Sequence, residues 1–183
     1  EDAQGRTGVR WVSALVTKAP VEARQLITGG AASPFLPHLR TAIQEATEID
    51  IAVAFVKTAG LRLLLSELLD ALTRHCPARL RFLTSDYLDV TDPEALRLLQ
   101  LLAERGAFVR VFDTRTGPDS YSFHMKAYIF ATFHREDGRL EGRAFIGSSN
   151  LSRQALYSAG GLEWNYRVDF PGDPGYLEAR LNQ

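Results

Sequence analysis

Between residues 33 and 112 the apolar positions alternate between stripes at helical steps and short continuous runs. Leu36, Leu39, Ile43 and Ala46 follow Ser33-Pro34 at three- and four-residue steps, which predicts a helix ending near Glu48. Ser33 is its expected cap, and Pro34 suits the first turn, where its missing N–H costs nothing. Asp50-Ile51-Ala52-Val53-Ala54-Phe55-Val56 is a strand-length apolar run, the type expected where both faces of a sheet are covered. Thr58 then offers a cap, and Leu61, Leu64, Leu65, Leu68, Leu69 and Leu72 form one apolar helical face. Arg79 to Thr84 reads as a second strand. Asp92 as cap, Pro93, Leu96, Leu99, Leu102 and the stop at Gly106 mark the next helix, and Phe108 to Phe112 a third strand.

This alternation predicts an α/β fold, a mixed, partly parallel sheet flanked by helices. After the third strand the pattern changes. Thr114 to Ser122 is a polar Gly/Pro loop, and three β-rich segments follow at 123–133, 143–148 and 163–169. The turn residues Arg135 to Arg139 predict an antiparallel hairpin between the first two. At the other end, the residues to about Thr7 read as a loose polar leader and Trp11 to Val16 as a short strand or edge segment. The resulting division is a leader with edge elements over 1–32 and a catalytic domain over 33–183. The missing initial Met and the polar helical stretch that ends at Gln183 predict a piece of a longer protein.

Composition adds limits. With 183 residues, 45% hydrophobic and 23% charged, the chain suits one buried core. A formal net charge of −1 does not argue for a generally basic, nucleic-acid-coating protein, so any phosphate recognition must be local. The single Cys76 excludes an internal disulfide and a multi-cysteine zinc site. Neither a signal-like apolar run behind a basic stretch nor the ~20 apolar residues of a membrane span is present, and the expected setting is cytoplasmic, with no membrane partner.

The candidate chemistry lies in the β-rich half. His124 and Lys126 alternate to one side of a strand, as do Ser148 and Asn150, and Glu163 and Asn165. Cleaving a phosphodiester takes a nucleophile, donors for the phosphoryl oxygens and a proton for the leaving oxygen. Neutral His124 can attack to form a phosphohistidine. Lys126 supplies a fixed charge, Asn150 and Ser148 or Ser149 supply neutral donors, and Glu163 can accept from the other imidazole nitrogen. This set of groups requires neither metal nor cofactor.

His124-x-Lys126 followed by Gly147-Ser148-Ser149-Asn150 resembles the active-site signature of the phospholipase D superfamily, including its nucleases, over about Asp50 to Phe170. The resemblance implies a mixed sheet flanked by helices and metal-independent phosphoryl transfer through phosphohistidine. It also implies two signatures meeting at a twofold axis. Since this chain carries one, it implies a homodimer in which His124 of one subunit attacks and that of the other protonates the leaving group. The signature expects Asp five residues beyond the Lys, where this chain has Ala131. A subgroup resembling metal-independent restriction endonucleases and helicase-attached nucleases lacks that Asp and uses a downstream Glu, matched by Glu163 in Glu163-Trp164-Asn165. The implied partners are DNA or RNA, a second copy, and attached helicase or restriction-type domains.

Simpler readings compete. Gly147 to Asn150 taken alone is a turn sequence. Glu163 can face solvent on an edge strand. Asn165 is either a supporting donor, here placed with the phosphate binders, or polar filler. Arg153 either touches phosphate or starts a surface helix, and His38, His75 and His134 read as surface or loop residues. Tyr121, Phe123, Tyr128 and Trp164 could stack on bases, but alternating aromatics on strands are more often core. A catalytically silent nucleic-acid-binding module and a phospholipid hydrolase or transferase are the competing functions, the latter without the exposed membrane-contacting segment it would favour.

Overall fold

A computed structural model describes residues 24–115, 122–157 and 161–170. Its elements run β1 (Arg24–Gly29), α1 (Phe35–Glu45), β2 (Glu48–Val53), α2 (Thr58–Leu61), α3 (Leu65–Thr73) and β3 (Arg79–Ser85). After a 3₁₀ turn at Tyr87–Asp89 come α4 (Pro93–Glu104), β4 (Phe108–Phe112), β5 (Lys126–Phe133), β6 (Leu140–Gly147), α5 (Arg153–Leu156) and β7 (Leu162–Phe170). The strands form one seven-stranded sheet in the order β1-β7-β6-β5-β2-β3-β4. β2, β3 and β4 pair in parallel through helical crossovers, and every other pairing is antiparallel. The expected mixed, partly parallel α/β sheet is the observed one.

One core lies on one face of this sheet. Ile27, Ile49, Ile51, Phe82, Tyr128, Phe130 and Phe145 from the strands join Phe35, Leu39, Leu68, Leu99 and Leu102 from the helices. Phe35 packs edge-on against both Tyr128 and Phe145, with ring centroids 5.4 Å apart in each pair. On the other face the row Leu26, Tyr166, Ile146 crosses β1, β7 and β6 and stays exposed, with Trp164 beside it. β2 accordingly alternates between buried and half-buried positions, unlike a strand enclosed on both faces.

Several boundaries differ from the sequence reading, each for a long-range reason. Ser33 does not cap α1, because it bridges back to Gly29, and Pro34 holds the cap position. α1 ends at Glu45, since Ala46 is extended and the Thr47 N–H donates to Ala131 O at 2.8 Å, turning the chain into β2. The leucine helix divides at Leu61–Leu65. Gly60 presses on residues 151–152, where an added Cβ would meet Leu151 O and Ser152 Cα at 2.5 Å each. Thr58 is not its cap either. Asp92 accepts from the Thr58 N–H at 2.9 Å and from Lys57 Nζ at 3.0 Å, instead of capping its own helix α4. These two donors, the Thr58 N–H foremost, hold the Asp92 carboxyl below the usual carboxylate range. Trp11 to Val16 lies outside the described residues. Arg24–Gly29 forms the sheet edge beyond β7.

Candidate active site

The chemistry-bearing residues converge on the end of the sheet where the parallel strands finish. Antiparallel β5 starts there, with Lys126 paired to Val53 near the end of β2. Antiparallel pairing brings the end of β6 and the start of β7 to the same place, with Gly147 opposite Asn165. Open α/β sheets bind ligands at this edge.

His124 lies two residues before β5, and Phe123 beneath it is buried against Phe112, with centroids 5.5 Å apart. Lys126 Nζ lies 2.8 Å from His124 Nδ1 and donates to the His124 carbonyl at 3.0 Å. An ammonium donating to Nδ1 leaves the imidazole proton on Nε2. Burial lowers the Lys126 pKa, and the Glu163 charge opposes that shift. Lys126 therefore carries a charge that is easier to remove than that of a solvated lysine.

Gly147 to Asn150 is tied down residue by residue. A Cβ on Gly147 would lie 1.9 Å from Trp164 O, so only glycine lets β7 approach this closely. The Ser148 N–H donates to Trp164 O at 2.9 Å, and Ser148 Oγ accepts from the Trp164 N–H at 3.0 Å while donating to the Glu163 carboxylate. Ser149 is buried, with its carbonyl accepting from Tyr128 Oη at 3.1 Å and its Oγ from Asn165 Nδ2 at 2.8 Å. Burial, aided by the Glu163 charge, pushes the Tyr128 hydroxyl pKa upward, so it remains a donor. Asn150 Oδ1 accepts from the Phe55 N–H at 3.1 Å, which leaves its Nδ2 hydrogens to donate elsewhere.

His124, Lys126, Ser148, Asn150 and Glu163 thus gather at one edge, with two departures from the sequence reading. Glu163 hydrogen-bonds Ser148, and among the described residues the His124 ring nitrogen with a hydrogen-bond partner is the Nδ1 facing Lys126. Asn165 is 1% exposed and spends its amide on Ser149, so it supports the loop from beneath. Ala131 lies five residues along β5, ~17 Å from Lys126 at the usual rise and on the opposite face. An Asp there would not reach His124.

The other candidates are placed elsewhere. Arg153 stacks on Tyr157, 4.7 Å from the ring centroid. His75 is exposed, and His134 pairs with Glu141 at the β5–β6 hairpin. His38 is half-buried on α1 near Phe145, its pKa lowered by burial and by Arg167 and Arg143. Tyr128 and Phe123 are core, Trp164 is 69% exposed, and Tyr121 lies outside the described residues. Among the described residues no group of three or more His, Cys, Asp or Glu is arranged to hold a metal ion, and no helix is long and apolar enough to cross a membrane. Tyr87, whose ring stands edge-to-face with His124 at 5.2 Å and 80°, escaped the sequence reading, as did the Phe55 N–H. Neither lies near His124 or Asn150 in sequence, and no local spacing marks them.

Comparison with solved structures places this architecture. A polyphosphate kinase from Porphyromonas gingivalis superposes with a TM-score of 0.55 at 14% identity, over 83% of this chain and 25% of that one. A yeast tyrosyl-DNA phosphodiesterase mutant gives 0.45 at 11% identity, over 79% and 31%. The chain spans about a quarter of the kinase and under a third of the phosphodiesterase. No protein-family model and no curated protein sequence matches. The kinase likeness shows a shared fold.

Proposed function

We propose that this chain is a phosphoryl-transfer domain of the phospholipase D type that hydrolyses DNA phosphodiesters without a metal ion, in a site shared by two copies. The observation that carries the reading is the meeting of His124, Lys126, Ser148, Asn150 and Glu163 at one sheet edge. The fold shared with the kinase supports the broader class, phosphoryl transfer.

In this reading a phosphate oxygen competes for Lys126 Nζ and draws it from His124 Nδ1, so the imidazole proton can move to Nδ1 and free the Nε2 lone pair. Nε2 attacks phosphorus, the P–O ester bond breaks, and the leaving alkoxide takes a proton from protonated His124 of the second copy. Water then attacks the phosphohistidine, the P–N bond breaks, and the second imidazole takes the water proton. Lys126, Ser148 and Asn150 Nδ2 hold the nonbridging oxygens as charge moves onto them. Attached helicase or restriction-type domains would deliver the substrate.

A second reading, a silent phosphate-binding module, draws on the same contact. With Nδ1 held by the Lys126 ammonium, the resting ring carries its proton on Nε2, the nitrogen that must attack. The deciding assay is cleavage of supercoiled and single-stranded DNA in excess EDTA by wild type and His124→Ala. Nicking that disappears in the variant supports the nuclease. Binding without cleavage in both supports the silent module and refutes the nuclease reading.

A further inference from the structure

We propose that Tyr87 is the positioning residue for the His124 imidazole, an inference that rests on the reading of His124 as nucleophile. His124 precedes the first ladder pairing of β5, so the sheet does not hold its ring. Glu163, the residue expected to orient it, bonds Ser148. Lys126 fixes one point of the ring, and a single hydrogen bond to a flexible lysine leaves the imidazole plane free to turn. The Tyr87 ring, nearly perpendicular to the imidazole at 5.2 Å, supplies the second constraint.

The segment that presents Tyr87 is built at a conformational cost. Leu88 and Asp89 both adopt left-handed backbone conformations, with φ of 52° and 54°, which non-glycine residues rarely do. Such strain persists where surrounding contacts enforce it. Here the Tyr87 N–H donates to Ser85 Oγ at 3.2 Å, and buried Ser85 donates in turn to Ala54 O at 2.7 Å. Asp86 Oδ1 accepts from the Thr114 N–H and hydroxyl, Arg115 pairs with both Asp86 and Asp89, and the Asp89 N–H returns to Asp86 O at 3.0 Å. Exposed Leu88 gains no burial from this arrangement, being 73% exposed. The loop's shape serves the side chain before it, Tyr87.

The test compares Tyr87→Leu and Tyr87→Phe in the full chain by two readouts. In proton NMR the His124 ring resonances should be displaced by the aromatic neighbour in wild type and Tyr87→Phe, and relax towards solvent values in Tyr87→Leu. Single-turnover DNA cleavage should fall about three- to tenfold in Tyr87→Leu, the worth of one aromatic pair, with DNA affinity unchanged and Tyr87→Phe close to wild type. Full-rate cleavage by Tyr87→Leu alongside inactive His124→Ala overturns this proposal and leaves the nuclease reading standing. Cleavage by His124→Ala at the wild-type rate, or none by wild type, overturns both. Unmoved ring resonances in Tyr87→Leu overturn the proposal whatever the activity.

Discussion

Gly147→Ala tests how the site is assembled. The added methyl would sit 1.9 Å from Trp164 O, 2.7 Å from Asn165 Cα and 2.8 Å from Trp164 C. All three are backbone atoms of β7, so no side-chain rotation relieves the clash, and the strands must part where Gly147 faces Asn165. Overpacking costs about 1–3 kcal/mol, and loss of the Ser148 N–H to Trp164 O hydrogen bond adds about 1 kcal/mol. The sum, about 2–4 kcal/mol, is a large share of the ~5–15 kcal/mol that stabilises a typical domain. It corresponds to a melting decrease of roughly 4–16 °C for a chain of this size. The assay is thermal and urea unfolding followed by circular dichroism. Gly161→Ala is the control, since among the described residues the nearest atom to its new Cβ is Gln154 O at 4.0 Å. DNA cleavage should fall further than stability, because the parting strands carry Ser148 and Glu163. A Gly147→Ala midpoint equal to wild type, or equal damage from Gly161→Ala, would refute the reasoning.

Asn150→Asp keeps an acceptor for the Phe55 N–H but replaces the Nδ2 donor with a carboxylate oxygen, so melting should change little while DNA affinity in fluorescence anisotropy drops. Asn150→Ala loses both roles and should also cost about 1–3 kcal/mol by leaving the Phe55 N–H unpaired; wild-type affinity in Asn150→Asp would refute the phosphate-donor role. Because burial lowers the Lys126 pKa, its protonated form is lost at lower pH than in a solvated lysine, and cleavage should decline on the alkaline side correspondingly early. Glu163→Gln removes the charge that opposes this shift and should move the alkaline limb to still lower pH; a limb that stays put or moves upward contradicts the assignment.

The repeating elements were legible in the chain because strand and helix periods are local. α4 and β4 match their predicted extents closely, and β3 runs one residue longer, to Ser85. The same period predicted His124 and Lys126 on one side, and although β5 begins only at Lys126, Lys126 Nζ lies 2.8 Å from His124 Nδ1. Tertiary structure decided what those elements do to one another. Asp92 has the sequence of a cap for α4, yet it serves Thr58, more than thirty residues earlier, because the ends of the parallel strands bring the two turns together. The leucine stripe promised one long helix, but it divides between Leu61 and Leu65, where the Leu63 and Leu64 N–H groups bond the carbonyls three residues back and Gly60 lies close against residues 151–152. Glu163 had the charge to orient His124, but the close approach of β7 to Gly147 put Ser148 within its reach. Tyr87 came to His124 through a strained turn. Periodicity therefore specifies the faces that side chains occupy, whereas the partners across those faces depend on strand register and close backbone approach between residues far apart in the chain.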